Sequence, residues 1–355
     1  MFNSLPDSVS AFYSSILSTA IHALKFNNFT DNYDVDRLNS DERNVTRTLD
    51  FDLDTRVRNF DWFFQQREGL YRAYALLEDD ESKRLFMSLI TFRLTGFLGH
   101  RIPVPFATDK AGLEHYRSIE HHTESTLPLT GMLGKLRHYD FEFDGDRYRA
   151  DCLGFEYYLF RRQYFYERDG VRVLPEKGDV VIDGGACLGD TALVFSNAVG
   201  ATGKVYAFDP VAEHLKMLEL NIAQFQHPNV VPMPYGLSDH NVDCPPMVMT
   251  NYQPAFRTDG QDVPLRSLDD LVAKGEIDKV DFIKLDIEGA ELEMLQGAGE
   301  AIRRFRPKLA VSLYHKPNDL FELVEYIHRE FPFYKLYLGH YTIWSSETVL
   351  YCAAH

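Results

Sequence analysis

Apolar side chains recur at helical spacing through much of the first hundred residues. In residues 80–99, Leu85 and Leu89 begin a stripe of apolar residues at steps of three and four, behind an acidic start. This pattern predicts an amphipathic helix whose first turn opposes the positive end of the helix dipole. Similar patterns predict helices over residues 55–77 and 9–24.

The hydrophobic period changes to two in residues 138–153, HYDFEFDGDRYRADCL. The alternation surrounds Asp144 and Gly145, a pair that favours the tight turn of a β-hairpin. Residues 101–134, rich in Pro, Gly, His and Thr, fit neither period, and we expect a loop or a domain boundary there. Residues 155–170 are unusually aromatic. They either pack between the two halves of the protein or form a ring-lined substrate wall.

Short apolar runs alternate with helical or loop segments from residue 178 onward. The runs predict strands at residues 180–183, 204–209, 230–233, 280–286 and 309–313, and FYKLYLGHY and ETVLYCAA predict two more at the end of the chain. Such a series builds a parallel α/β sheet with helices on both faces, and its ligands bind at the C-terminal ends of the strands.

These patterns divide the chain into three expected parts. Residues 1–130 form a helical N-terminal domain, residues 131–177 a hairpin and aromatic connector, and residues 178–355 the α/β domain. The chain of 355 residues, with 45% hydrophobic and 25% charged residues, has the composition of a globular protein.

Charge and cysteine usage narrow the class of partner. The 37 basic and 53 acidic side chains give a formal charge of −16, which argues against nucleic acid or an anionic membrane as the main partner. No apolar run is long enough to span a bilayer, and the N-terminus lacks the features of a signal peptide, so we expect a cytoplasmic protein. The widely spaced cysteines predict neither disulfides nor a zinc site; they are Cys152, Cys187, Cys244 and Cys352.

The stretch VVIDGGACLGDT, residues 180–191, predicts a ligand-binding loop between a strand and a helix. Its glycines let backbone N–H groups and the helix N-terminus approach a ligand closely. The dinucleotide pattern G-x-G-x-x-G is not met, because Ala186 stands at its second glycine, and no Gly-Lys-Ser/Thr of a Walker loop follows. The glycines alone leave the choice among phosphate, pyrophosphate and S-adenosylmethionine open.

A carboxylate is expected beside this loop. Asp209 comes at the end of the next predicted strand, where it can accept both hydroxyls of a ribose. This arrangement serves S-adenosylmethionine and NAD alike. The alternative is an aspartate that only forms the turn before Pro210.

Several motifs together resemble the FkbM family of S-adenosylmethionine-dependent methyltransferases. They are DGGACLGDT, AFDP followed by Asn221, YGLSD, RSLDDL, DFIKLDIEGAELEML, SLYHKPNDL and the closing HYT and ETVLY. DFIKLDIEGAE is the most specific of them, and the similarity covers about half of the chain. Asp209 is a departure, because many relatives carry glutamate there; aspartate preserves ribose binding with a shorter reach.

The resemblance implies a Rossmann-like class I methyltransferase sheet of seven strands with the last one antiparallel. The glycine loop would face the methionine part of S-adenosylmethionine, Asp209 the ribose, and Ser238 and Asp239 the adenine, with Leu237 over the adenine ring. The expected cofactor-binding residues are Asp183, Gly184, Gly185, Gly189, Asp190, Thr191, Asp209, Pro210, Leu237, Ser238 and Asp239.

A second acidic cluster follows in DFIKLDIEG. Strand alternation places Lys284 and Asp286 on one side, and a lysine within an apolar strand requires a carboxylate partner. Asp286, Glu288 and Asp183 are the candidates. The pair either fixes the strand ends, or Lys284, Asp286 and Glu288 line the pocket where the methyl group meets its acceptor.

A hydroxyl acceptor needs a base to take its proton. Topology places His315 best for this role, and His340 is a second candidate. The alternative for His315 is a loop histidine that is merely solvated. Asp286, Glu288 and His315 also offer the ligand atoms that Mg²⁺ accepts. Because no spacing demands a metal, we assign no metal ligand.

The resemblance thus implies an S-adenosylmethionine-dependent O-methyltransferase that acts on a hydroxyl of a sugar, a glycan precursor or a secondary metabolite. The rival hypotheses are a nicotinamide-dependent oxidoreductase on the same sheet and a non-catalytic binding or scaffold protein. The N-terminal 130 residues are open to substrate capping, dimerisation or the binding of a separate partner, and we expect capping with formation of a homodimer.

Overall fold

The computed structural model describes residues 2, 4–26, 53–96, 99–127, 136–245 and 263–355. The expected domain boundary at residue 130 lies outside these described residues. Within them, no helix combines the length and the hydropathy needed to cross a membrane. The cytoplasmic location stays a prediction.

In chain order the helices are α1 Val9–Phe26, α2 Leu53–Leu76, α3 Asp80–Thr95, α4 Lys110–Ile119, α5 Glu156–Leu159, α6 Asp190–Val199, α7 Ala212–Ile222, α8 Leu268–Ala273, α9 Glu291–Gln296, α10 Gly299–Phe305 and α11 Asp319–Glu330. The three helices predicted in the first hundred residues are present close to their predicted positions, as α1, α2 and α3.

The strands include all seven that the apolar runs predict and both arms of the hairpin. In chain order they are β1 His122–Glu124, β2 Arg137–Phe143, β3 Asp146–Cys152, β4 Tyr166–Arg168, β5 Val171–Val173, β6 Val180–Gly184, β7 Lys204–Phe208, β8 Val230–Met233, β9 Gly236–Leu237, β10 Leu265–Arg266, β11 Phe282–Leu285, β12 Lys308–Ser312, β13 Tyr334–His340 and β14 Thr348–Ala354.

The main sheet has seven strands in the order β13-β14-β12-β11-β6-β7-β8. The five strands from β12 to β8 pair in parallel. The short connection between the neighbours β13 and β14 requires them to be antiparallel, because a parallel pair needs a crossover of about a dozen residues or more. This topology confirms the predicted Rossmann-like class I methyltransferase sheet, with the last strand antiparallel.

The packing of the chain groups the residues into two compact units. The helical unit contains residues 1–110, 313–351 and 355, and the glycine-loop unit contains residues 111–312 and 352–354. The domain borders expected after residues 130 and 177 come from the sequence pattern and differ from the borders of these two units. The three-part division of the chain stays a prediction.

The hairpin turn of the connector is confirmed. β2 and β3 pair antiparallel around Asp144 and Gly145, and both turn residues have positive φ, 51° and 85°. Two adjacent residues with positive φ are what a type I′ turn requires, and this turn matches the twist of the flanking strands.

The expectation of a loop or boundary over residues 101–134 was wrong in part. This stretch contains α4 and β1. In α4, Leu113 and Tyr116 are buried at a spacing of three. Two buried positions in a ten-residue helix give too short a pattern to stand out among the surrounding Pro, Gly, His and Thr.

Asn221, on α7, joins the hairpin to the glycine loop. Its amide oxygen accepts the Asp151 N–H (2.9 Å), and its amide nitrogen donates to the carbonyls of Asp151 (3.0 Å) and Leu188 (2.7 Å). The side chain is fully buried. One residue therefore satisfies three buried backbone groups from two distant segments.

Asn221→Ala should destabilise the protein by about 2–4 kcal/mol, because three buried backbone groups lose their partner. Urea denaturation followed by circular dichroism measures the change. Glu219→Ala, at an exposed position of the same helix, is the matched control and should shift stability by less than about 0.5 kcal/mol. Equal effects of the two changes would contradict the joining role of Asn221.

Candidate active site

The glycine loop runs from the end of β6 to the start of α6 in the glycine-loop unit. Gly185 has φ 79° and Gly189, the N-cap of α6, has φ 94°. The N–H groups of Gly185 and Ala186 both donate to the Phe208 carbonyl at 3.0 Å, so the loop is anchored to the end of β7. A Cβ atom at Gly185 would overlap the carbonyl oxygen of Asp286, and only glycine fits there.

Lys284 and Asp183 form a buried ion pair beneath this loop. Nζ of Lys284 lies 3.2 Å from Oδ1 of Asp183, with the two side chains 1% and 0% exposed. Nζ also donates to the carbonyls of Gly184 (3.0 Å) and Gly185 (2.8 Å). Burial alone lowers the pKa of Lys284, but Asp183 and Asp286 outweigh it, and the pKa is raised. Of the three predicted partners, the ion pair is made with Asp183.

Two predicted residues at the start of α6 face this region. Oγ1 of Thr191 donates to Oδ2 of Asp183 at 2.7 Å. Asp190 accepts the Thr191 N–H at 2.9 Å, and burial raises the pKa of its carboxyl to about 6. The carboxylate of Asp190 is thus poorly solvated, and a cation beside it would be favoured.

Asp209 follows β7 and is held by three donors. Its Oδ2 accepts the Cys187 N–H (3.0 Å), and its Oδ1 accepts the Val211 N–H (2.8 Å). Nδ1 of His214 lies 3.1 Å from Oδ1 and 3.2 Å from Oδ2. The glycine loop and the start of α7 therefore meet at this carboxylate, while Pro210 occupies the turn between them.

The predicted adenine-side residues come at the end of β9. Leu237 is buried, and a Cβ atom at Gly184 would lie 3.2 Å from its Cδ1. Ser238 is buried and Asp239 is exposed. Oγ of Ser238 donates to Oδ1 of Asp239 at 3.2 Å. Oδ1 of Asp239 also lies 2.5 Å from Nδ1 of His240.

Asp286 follows β11 and has an aromatic partner. The hydroxyl of Tyr164 donates to its Oδ2 at 3.0 Å, and the ring centroid of Tyr164 lies 5.5 Å from Nζ of Lys284. Tyr164 is buried with φ 69°, a conformation that is strained for a non-glycine residue and is often found at functional sites. Glu288 is exposed with φ 58°.

The two predicted histidines belong to the helical unit. His315 follows β12 and is partly buried, with its ring centroid 4.2 Å from that of Tyr314. His340 ends β13, where its Nδ1 lies 2.8 Å from Oγ1 of Thr348. Burial lowers the pKa of His340 to about 3, so this imidazole is neutral near pH 7.

Residues 183–335 match the family model described as "Methyltransferase FkbM domain". These residues form an FkbM methyltransferase domain. It contains the glycine loop, Lys284, Asp209 and Asp286.

A curated relative and a solved structure show the same similarity. The Hexuronic acid methyltransferase AglP of Haloferax volcanii is 32% identical over 144 residues, which are 39% of this chain and 58% of that protein. The crystal structure of Methyltransferase FkbM from Methylobacillus flagellatus KT matches with a TM-score of 0.53 and 22% identity over 84% of this chain and 62% of that one. The chain thus covers about three fifths of each relative.

The sequence analysis missed two side chains that contact aspartates of the site. Tyr164 contacts Asp286, and His214 contacts Asp209. Tyr164 lies in the aromatic segment, where nothing distinguishes one ring from the next. His214 was detectable, because it follows Asp209 by five residues across the start of α7, so that a helical turn brings the two together. The roles of the predicted site residues stay predictions.

Gly185→Ala should destabilise the FkbM domain by at least about 3 kcal/mol, because the new Cβ overlaps the main chain at Asp286 in addition to straining φ. Gly178→Ala is the matched control, since Gly178 has φ 86° but a Cβ atom there has its nearest neighbour at 3.6 Å. It should cost about 1–2 kcal/mol from strain alone. Urea unfolding midpoints compare the two, and equal losses would show that the overlap at Gly185 is relieved without cost.

Proposed function

We propose that the protein is an S-adenosylmethionine-dependent O-methyltransferase that acts on a sugar hydroxyl. The observation that carries the proposal is the glycine loop of an FkbM domain with one carboxylate at its end and another against its middle. Asp190 begins the helix after the loop, and Asp209 ends the neighbouring strand and contacts the loop through Cys187. A ligand with a cationic part and a ribose matches these groups.

The chain's own residues fit the two polar parts of this cofactor. The Asp190 carboxylate, with its raised pKa, favours a nearby amino group or sulfonium. Asp209 retains acceptor capacity for a ribose hydroxyl, because an ionised carboxylate offers about four acceptor sites. Ser238 and Asp239 are the proposed neighbours of the adenine, and Leu237 is its proposed apolar cover.

A nicotinamide cofactor fits less well. Its pyrophosphate would have to lie against a loop flanked by the carboxylates of Asp190 and Asp209, and like charges repel. Ala186 also occupies the position of the second glycine in the dinucleotide pattern.

The proposed acceptor is a hydroxyl on a hexuronic acid or on a glycan that contains one. The relative at 32% identity is named for methylation of a hexuronic acid. The roles expected for residues 1–130, acceptor capping and formation of a homodimer, remain part of this proposal.

S-adenosylmethionine supplies an already activated methyl group, so the protein mainly has to align the acceptor and take up its proton. We assign the proton to Asp286, at the end of β11. The phenol of Tyr164 donates to Oδ2 of this carboxylate and holds it in one orientation. Lys284 serves the glycine loop in this scheme, and Glu288 and His315 remain candidates for contacts with the acceptor.

Calorimetric titration with S-adenosylhomocysteine and with NAD tests the cofactor. We expect binding of the first and none of the second, and the reverse result would support the oxidoreductase instead. Incubation with methyl-labelled S-adenosylmethionine and a panel of glucuronosides and neutral glycosides then tests the acceptor, with label expected on the glucuronosides. Label on the neutral glycosides alone would contradict the uronic acid assignment.

Tyr164→Phe should lower kcat by about tenfold or more and leave the affinity for S-adenosylhomocysteine within about twofold, because the hydroxyl orients Asp286 and the ring is retained. Steady-state kinetics on the best acceptor of the panel measure the effect. Tyr139→Phe is the control, since Tyr139 is equally buried and its hydroxyl donates to the Leu153 carbonyl. A similar loss of kcat in both variants would reduce Tyr164 to a packing role.

A further inference from the structure

The carboxylate of Asp209 is oriented by one side chain in addition to two main-chain groups. The N–H groups of Cys187 and Val211 bind one oxygen each, and Nδ1 of His214 lies within 3.2 Å of both oxygens. His214 is buried in the first turn of α7. Its position five residues after Asp209 places the imidazole beside both carboxylate oxygens.

The chemistry of the neighbours fixes the tautomer of His214. An ionised carboxylate only accepts hydrogen bonds, so Nδ1 must carry the hydrogen. Nε2 lies 3.9 Å from Sγ of Cys187, within reach of a weak hydrogen bond that involves sulfur. Burial raises the pKa of the Cys187 thiol well above its ordinary value, so the thiol keeps its hydrogen and donates to Nε2. The result is a chain of hydrogen bonds in which Cys187 donates to His214 and His214 donates to Asp209.

This chain has a consequence for ribose recognition. A carboxylate oxygen can accept a ribose hydroxyl in a favourable direction only if the carboxylate plane is fixed at the correct rotation about the Cβ–Cγ bond. The main-chain donors hold one oxygen each, and the bifurcated contact from His214 restrains the plane from a third direction. Loss of the imidazole would free this rotation and leave space beside the carboxylate oxygens.

We propose that His214 is a positioning residue for ribose recognition, which holds the Asp209 carboxylate in the orientation that accepts a ribose hydroxyl of the cofactor. The inference rests on the proposed function, because it requires the cofactor to bind at Asp209. It adds to that function a residue that acts through Asp209 and does not itself touch the ligand.

The test compares binding of S-adenosylhomocysteine with binding of its 2′-deoxy and 3′-deoxy analogues, by calorimetry on the full chain. The wild type should bind the parent compound about tenfold or more tightly than at least one analogue, the value of one good hydrogen bond. His214→Leu should reduce this preference to about threefold or less. A purely structural effect would weaken the binding of all three ligands by the same factor and leave the preference for the parent compound unchanged.

Two further variants separate the donor from the bulk of the ring. Asparagine places its amide nitrogen at about the position of Nδ1, and glutamine places it nearer the position of Nε2. His214→Asn should therefore retain the preference for the parent compound, whereas His214→Gln should lose it as His214→Leu does. If His214→Leu does not fold, this pair carries the same test. His227→Leu, just beyond the end of α7, is the matched histidine control and should behave as the wild type.

The outcomes distinguish this inference from the proposed function. A wild type that binds none of the three ligands removes the cofactor assignment, and the inference with it. A wild type that binds the parent and both analogues equally removes Asp209 as the ribose ligand. Normal wild-type discrimination that survives in His214→Leu and His214→Gln overturns the role of His214 alone.

Discussion

The buried ion pair between Lys284 and Asp183 is the interaction on which the rest of the site depends. An ammonium group in the middle of an apolar sheet is tolerated only if its charge and its hydrogens are satisfied. Asp183 satisfies the charge, and the carbonyls of Gly184 and Gly185 take hydrogens. Removing either charged partner leaves the other uncompensated, at a cost of about 3–5 kcal/mol. The pair therefore holds the loop against the ends of β6 and β11.

The position of the loop in turn restricts its sequence. The Lys284 ammonium binds the loop carbonyls of Gly184 and Gly185 and keeps the loop close to β11. The backbone at Gly185 therefore passes too close to Asp286 for any side chain. The far end of the loop is fixed independently, where Asn221 binds the Leu188 carbonyl. A loop fixed at both ends presents its backbone in one arrangement, and this preorganisation lowers the entropy lost when a ligand binds.

Much of the fold followed from the sequence, whereas the site followed only in outline. The alternation of apolar runs was sufficient for the seven strands, because a buried parallel strand leaves few other interpretations. The rule that a buried lysine needs a carboxylate predicted a partner for Lys284 but left three candidates, since spacing along one strand does not show which neighbouring strand end is closest. Tyr164 was not predictable, because its positive φ depends on tertiary packing rather than on its neighbours in the chain.

The partners of three aspartates in the FkbM domain differ in kind, and the difference separates their chemistry. Asp183 faces an ammonium, which neutralises it and suits a structural role. Asp209 accepts the main-chain N–H groups of Cys187 and Val211 and lies beside Nδ1 of His214. These contacts fix its direction, as its proposed role in ribose recognition requires. Asp286, the proposed proton acceptor, accepts the phenol of Tyr164 on its Oδ2. In the proposed function, carboxylates that share one end of a sheet thus serve structure, binding and proton transfer because their partners differ.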